Sequence, residues 1–597
     1  MKKVLFLILA ALFFAVSCSA NSTTKPDENT DSDSDPQAED SDQNEDGDEI
    51  HDGDAGDTEP SDSDDASSVE LPDCGESEEP ADNGRTVENL DFESGFIALE
   101  SVAYSLKSRC DKTGRAMMWY NFQPADENPE KKPLFVFYNG GPGSASAIVF
   151  LYNTAKRTGD QAFSEEGFAE NESSWTQLGN LLYIDARQTG FSYGITDDPD
   201  DQNERSTYFS SSNFNVFTDA ADFIRVILRF LKSHPALESN PVILAGESYG
   251  GTRTTAIINV LLNVAEYAEN KRVFYDGTLF DEIAGHFQKI DSSVSGMPSK
   301  EAVAKQFGKQ IMIQPLVAGN EQFEAEGKLL ERDDSPLYTV QEETGKEFKK
   351  CGNSWNCDKH NNAMSYIQSA GRDIYSYRRP YNWLFDYTDA GTAKMLQMPM
   401  FNEFILNDPT KIDELYAGNR TKAFRYDGIY NLYSRSFSAD AVFANLPEIE
   451  QIILRNRIIQ RNMKPLATGN LESVFGELQP YDEYFVDLNY DINFAFYRAA
   501  VSPYDKVNGE MFLENIRTVK TFITQAEEDI IIYAKGIPES LKSFNGVSGV
   551  ETGENSFTVS FPDGQSVEVT FPFYPESSHS VSVNQPLKFF NDVKNWL

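Results

Sequence analysis

The run from Pro241 to Gly251, Pro-Val-Ile-Leu-Ala-Gly-Glu-Ser-Tyr-Gly-Gly, constrains the fold of this chain more than any other segment. Pro241-Val242-Ile243-Leu244-Ala245 is almost wholly apolar, the pattern of a strand buried on both faces. A run of helical character follows the glycines, to about residue 268. Between the two lies Gly-x-Ser-x-Gly, centred on Ser248. A strand that passes into a helix through so few residues must turn tightly. Side chains at Gly246 and Gly250 would meet neighbouring backbone there. The turn exposes the serine hydroxyl and sets it against a helix N-terminus, whose amides favour developing negative charge. Ser248 is therefore a candidate nucleophile. An ordinary serine at a helix start is the competing reading.

The flanking sequence repeats the same alternation. Residues 114–122 and 133–138 read as strands, the second ending in Asn139-Gly140-Gly141-Pro142-Gly143-Ser144. Leu181-Leu182-Tyr183-Ile184 reads as another and ends at Asp185. Thr218–Ser233 has helical period and stops at His234-Pro235, where the proline disfavours helix in the residue before it. Gln310–Gln314 and Asp529–Tyr533 read as further strands, 557–573 as a polar hairpin turning at Asp563-Gly564, and 587–597 as a closing helix. Strands alternating with helices imply an α/β architecture with a mostly parallel central sheet. From about 270 to 515 the apolar runs shorten, as in a large, largely helical insertion. The expected organisation is a signal segment at 1–18, an acidic stalk at 19–90, a core at 91–270, an insertion or cap at 271–515 and the rest of the core at 516–597.

A serine nucleophile needs a base. The chain has five histidines. His51 falls in the stalk, His234 at the end of a helix read as surface, His286 in a polar turn and His360 beside two cysteines. His579 follows the last sheet strands, where the chain order serine, acid, histidine places the base. The orienting acid is expected after the strand ending at Tyr533. The loop there, Ala534 to Glu539, has Glu539 as its acidic residue. Asp529, at the start of that strand, is the alternative.

The N-terminal part has a different character. Met1-Lys2-Lys3 precedes an apolar stretch from Val4 to Val16, then Ser17-Cys18. A basic start, a short apolar core and small residues describe a secretory signal. The run is short for a membrane span. Cys18 at the boundary resembles a bacterial lipobox, so lipidation of Cys18 and anchoring to a bacterial cell envelope are expected. An ordinary signal peptide is the alternative. Residues 21–80 hold twenty-four Asp or Glu against one Lys. So little apolar surface cannot offset the entropy of ordering, and the like charges extend the segment. A calcium-binding repeat is the sharper reading of Asp31-Ser32-Asp33-Ser34-Asp35, but no closing glycine and glutamate follow. The formal net charge is −44, and the chain stays acidic without this segment, which argues against a nucleic-acid partner. Cys351 and Cys357 suit a local disulfide, and Cys74 and Cys110 are candidates for a second. With His360 the first pair supplies three zinc ligands, one short of a structural site, so no metal and no cofactor is expected.

Taken together, Asn139-Gly140-Gly141-Pro142-Gly143, Asp185 to Tyr193, Gly246 to Gly251 and His579 to Pro586 resemble the conserved blocks of the serine carboxypeptidase family, in its order. The resemblance implies the α/β-hydrolase fold and cleavage of the C-terminal peptide bond through an acyl-enzyme. It implies that the Gly141 and Tyr249 amides form the oxyanion hole. It also implies that Asn139, Gly140, Trp175 and Glu247 line the site for a substrate's free carboxylate. Glu247 binds a carboxylate well only with a proton shared between them, which favours mildly acidic pH. The sequence departs from the family pattern at Glu539 where aspartate is usual, at Asn153, Ser144, Thr252-Arg253, Ser578 and Ser580. A serine esterase or acyltransferase, or a non-catalytic surface protein on the same scaffold, are the other readings. Oligomeric state is not legible.

Overall fold

The computed structural model describes residues 74–335 apart from short stretches, 423–424, and 490–597 apart from 530–531, 578 and 580. Cys18, Asn153, Cys351, Cys357, His360 and most of the insertion lie outside the described residues.

Thirteen strands frame the site: β1 (Glu93–Leu99), β2 (Ala103–Leu106), β3 (Arg109–Lys112), β4 (Arg115–Gln123), β5 (Leu134–Tyr138), β6 (Asn180–Ile184), β7 (Tyr193–Ile195), β8 (Val242–Glu247), β9 (Lys309–Ile313), β10 (Lys520–Ile523), β11 (Gly549–Thr552), β12 (Ser556–Ser560) and β13 (Ser566–Thr570). The main sheet runs β7-β4-β6-β5-β8-β9-β10-β13-β12-β11. A two-residue strand, Ala423–Phe424, lies beyond β7, and β1 pairs with β4. Its centre, from β6 through β5, β8 and β9 to β10, is parallel. Both ends are antiparallel. This is the mostly parallel α/β architecture expected from the alternating pattern, and the α/β-hydrolase fold that the resemblance implies. The central strands β5, β6 and β8 are buried at every position, as their unbroken apolar runs predict.

Helix α1 (Val216–Ser233) is capped by Asn215 in a reciprocal capping box with Thr218 and is buried at all but its last two residues. It packs against α2 (Tyr249–Leu262), the helix that follows Ser248. Between β8 and β10 the described residues also form α3 (Gly277–Ile290), α4 (Lys300–Phe307), α5 (Gly319–Leu330), α6 (Tyr490–Tyr497) and α7 (Val507–Ile516). The chain closes with α8 (Pro586–Trp596).

Three local expectations need correction. The strand of the main sheet that follows β9 is β10 at 520–523, with Asp529 in the loop beyond it. In the Lys520-Thr521-Phe522-Ile523 run only the lysine is exposed. That run, paired with β9 and β13, is the strand that precedes the acid loop, whereas 530–531 of the expected strand lie outside the described residues. His234 is not at the surface: it is buried, with Nε2 3.0 Å from Glu93 Oε1. His286 lies within α3, buried beside Gln306 at 2.8 Å.

Cys74 and Cys110 form a disulfide. Around it the segment expected as the end of the stalk is fastened to the core. Ser77 Oγ accepts from the Ala103 amide at 3.0 Å, Glu78 N donates to Ser101 O at 3.0 Å, and Val87 N donates to Ser233 O at 2.8 Å.

Candidate active site

Ser248 sits between β8 and α2 with φ 61° and ψ −124°. A left-handed φ costs a residue with a side chain on the order of 1–3 kcal/mol, so the surroundings must hold it. Here the clasp is double. The Ser248 amide donates to Ile313 O at 3.0 Å, and its carbonyl accepts from the Leu316 amide at 3.0 Å. Close packing explains the glycines. A Cβ on Gly246 would lie 2.2 Å from Gly250 O, and one on Gly140 would lie 2.5 Å from Tyr249 N and 2.8 Å from Ser248 Cβ. The Asn139–Gly143 turn therefore abuts the nucleophile directly.

That turn is braced from beneath. Asn139 Nδ2 donates to Ala145 O at 3.2 Å, and Asn139 Oδ1 accepts from the Gly140 amide at 2.7 Å. Asp185 accepts from the Ser146 amide at 2.6 Å and the Phe191 amide at 2.9 Å, which joins the second block of the sequence to the first. Arg253 is buried and reaches across α2. Its Nη1 donates to Asn139 O at 2.5 Å and its Nε to Asp219 Oδ2 at 2.8 Å. The same Asp219 oxygen accepts from the Tyr249 hydroxyl at 2.8 Å. Burial works against the charged guanidinium, but the Asp219 carboxylate overcomes it and keeps Arg253 protonated.

His579 is buried, with Nδ1 2.7 Å from Asp529 Oδ2. A carboxylate can only accept, so Nδ1 carries the proton and Nε2 is left as the basic nitrogen. Burial disfavours the imidazolium. The charge and hydrogen bond of Asp529 outweigh it, with the charge of Glu247 adding to them, and raise the pKa above the ordinary 6.5. Glu247, whose charge acts on His579, is the residue preceding Ser248.

Glu539 does not reach the histidine. It stands in the first turn of a short helix, Ile537–Leu541, with its side chain 58% exposed and ion-paired to Lys542 at 2.6 Å. The strand ends about ten residues earlier than the sequence suggests, so the loop that follows it presents Asp529 instead. Trp175 is buried among Phe135, Phe137 and Phe589, at centroid distances of 5.4, 5.2 and 5.0 Å, and offers no face to a substrate. Glu247, Asn139 and Gly140 all surround Ser248. Helix α6 covers this face: Phe496 packs on Tyr249 at 5.1 Å and Asn493 Nδ2 donates to Pro142 O at 3.3 Å. Among the described residues, no cluster of three or more His, Cys, Asp or Glu is placed to hold a metal ion.

The family model for serine carboxypeptidase matches residues 93–451. The chain belongs to the serine carboxypeptidase family. The matched segment contains Asn139, Glu247 and Ser248 and ends before Asp529 and His579, whose pairing rests on the geometry. Serine carboxypeptidase-like 49 of Arabidopsis thaliana is 32% identical over 172 residues, 29% of this chain and 28% of that protein. Serine carboxypeptidase-like 20 of the same plant is 30% identical over 170 residues, 27% of this chain and 30% of that protein. The chain thus spans under a third of the length of these curated relatives. Among solved structures, Kex1(delta)p, a prohormone-processing carboxypeptidase from Saccharomyces cerevisiae, is 14% identical with a TM-score of 0.41, covering 85% of this chain and 90% of its own.

Sequence reasoning missed the partners that hold these groups, namely Asp219, Arg253 and Gln314. Their signal is weak in one dimension, because each acts on a residue far away in the chain. Asp529 was within reach: an aspartate six residues beyond the Lys520–Ile523 strand fits the fold's chain order.

Proposed function

We propose that the protein is a serine carboxypeptidase that removes single residues from the free C-terminus of peptides. The observation that carries this reading is the buried Asp529–His579 pair, whose histidine feels the charge of Glu247, the residue before a strained, doubly clasped Ser248. In the proposed cycle Ser248 Oγ attacks the last peptide carbonyl and passes its proton to His579 Nε2. The Gly141 and Tyr249 amides take the developing oxyanion. The C–N bond breaks as His579 gives the proton to the leaving amine, and water releases the acyl-enzyme by the same steps in reverse order. Asp529 holds the imidazole in the required tautomer and stabilises its charged form. Asn139 and Glu247 receive the substrate's terminal carboxylate, Glu247 sharing a proton with it.

The test is a peptide library in free-acid and amidated forms, at pH 5, 6.5 and 8, alongside S248A. Ladders shortened from the C-terminus, dependent on Ser248 and much weaker for amides, are expected. Internal cuts, equal cleavage of amides, or activity confined to small esters would overturn the exopeptidase reading in favour of an esterase. Silence from a folded protein would favour a non-catalytic role. Export with lipidation at Cys18 is proposed alongside, on the Lys2-Lys3 start, the apolar run and Ala15-Val16-Ser17. Mass spectrometry of the mature N-terminus checks it, and an unmodified Cys18 overturns it.

A further inference from the structure

We infer that Gln314 is a positioning residue of the catalytic apparatus, and that one short loop, Ile313 to Leu316, sets the nucleophile and the acid in register. The inference rests on the assignment of Ser248, His579 and Asp529 proposed above.

Gln314 directly follows β9, is fully buried and has φ 45°, a backbone conformation a glutamine adopts only when held. Its neighbours on either side hold Ser248, through Ile313 O and the Leu316 amide. Its own groups turn the other way. Nε2 donates to Asp529 Oδ2 at 2.8 Å and to Ile532 O at 3.2 Å. Oε1 accepts from the Ala526 amide at 2.8 Å and Thr524 Oγ1 at 3.0 Å, and the backbone amide donates to Thr524 Oγ1 at 2.9 Å. These bonds leave the side chain one orientation, with the donor toward the carboxylate.

Asp529 Oδ2 is thereby shared between the imidazole and Gln314, while Oδ1 accepts from the Ile532 amide at 3.2 Å. Three donors fix the carboxylate plane, and Gln314 is the one rooted in the loop that holds Ser248. A shift of Ser248 relative to Asp529 would have to break this loop's bonds at one end or the other. The loop is secured in turn from α5: Gln322 donates to Pro315 O at 2.9 Å and accepts from the Val317 amide at 2.8 Å.

Among the described residues, the titratable groups that act on Asp529 include His579 and, from α5, Glu326. Glu326 is fully buried and accepts from Gln322 at 2.8 Å. Burial, with the charge of Asp529, holds its carboxyl well above the usual range. Glu247 faces His579 from β8. In wild type, Gln314 offers Asp529 a donor that does not titrate.

Q314E makes that donor titratable. The variant is isosteric and keeps the acceptor for Ala526 and Thr524. Protonated, it can still donate to Asp529; ionised, it repels it. The readout is the second-order rate of Ser248 labelling by a fluorophosphonate, which needs the triad but no particular substrate. The expected result is a Q314E rate near wild type at pH 5.5 that falls behind progressively to pH 8, by about 10- to 100-fold, the usual scale for an outer partner that orients a reacting group. Q314G, which relieves the backbone strain, should lose a similar factor at all pH values. In a D529A background it should lose nothing further, because the residue acts through Asp529. Circular dichroism and melting curves accompany each variant. A constant Q314E-to-wild-type ratio across pH, or an equal loss from Q314G with and without Asp529, overturns the inference and leaves Gln314 a packing residue. Should Q314G fail to fold, the pH dependence of Q314E alone decides. Failure of wild type to label overturns the serine-hydrolase reading itself, an outcome distinct from either of these.

Discussion

At the scale of single residues, the acid is where prediction and geometry diverge. Asp529 is fully buried, with three donors around it, whereas Glu539 is exposed and paired with a lysine three residues on. D529N should lower kcat by at least about a hundredfold, toward the ~10⁴ seen when a triad aspartate is neutralised elsewhere, with far-ultraviolet circular dichroism unchanged. E539Q should stay within about twofold of wild type, as solvated surface changes do. Reversed results would return the role to Glu539. The pH profile separates two groups. His579 must be neutral to accept a proton, and its pKa is raised, so kcat/KM on a neutral ester should rise through a midpoint above 6.5 and then level off. A free-acid peptide also needs the proton shared with Glu247, which is lost as pH rises. Its profile should be bell-shaped, with a maximum below the pH of the ester plateau. Superimposable profiles for the two substrates would count against Glu247 as the carboxylate's partner. The raised base also narrows the expectation of mildly acidic activity, because at pH 5 most of His579 is protonated.

At the scale of elements, the strand–turn–helix at Ser248 was legible in full. Its signals are local: an apolar run, two glycines flanking the serine at close quarters, and a helical period. The central strands were legible for the same reason, as were the 557–573 hairpin and the final helix. The strand beside β9 was not. Ile530-Ile531-Ile532 is the more hydrophobic run, yet β10 is the less conspicuous Lys520–Ile523, selected by pairing with β9 and β13, a tertiary effect that no window of sequence contains. The second glycine-rich turn provides the test at this scale. G140A would place a methyl 2.5 Å from Tyr249 N and 2.6 Å from Glu247 O, both backbone atoms that cannot step aside. Turnover should fall by about two orders of magnitude, since removing one oxyanion donor costs that much and the turn carries the donor proposed at Gly141. A variant of unchanged kcat would show that the turn is displaced from the chemistry.

At the scale of the whole molecule, composition separated the acidic N-terminal segment from the core, but it placed the boundary too late. Net charge and the scarcity of apolar residues run on to about residue 85, whereas among the described residues attachment is already present at Cys74, through a covalent bond and a few hydrogen bonds that composition does not register. Deleting residues 19–73 should therefore leave kcat/KM on a small ester within about twofold, since exposed polar termini tolerate removal. Deletion through Glu78 also removes the disulfide, worth typically about 2–4 kcal/mol, and should lower Tm by several degrees. Equal melting temperatures for the two truncations would show that the bridge does not stabilise the core. The buried arginines of α1 are a further feature composition hides. Arg225 and Arg229 pair with Asp276, Glu100 and Glu282, which ties that helix to β1 and α3.

The closure of Arg253 onto Asp219 has a consequence for how peptides arrive. An arginine next to the nucleophile turn would ordinarily be an attractor for anions, but this one is neutralised in place and buried. Among the described residues, Glu247 and the Asp529–His579 pair are the charged groups that act on one another at the site, and the chain as a whole has net charge −44. Under the proposed function, the expected field at the mouth of the site is negative at neutral pH. Basic peptides should then be drawn in faster than acidic ones of equal length when the ionic strength is low. Added salt screens both effects, slowing the first class and speeding the second until encounter no longer distinguishes them.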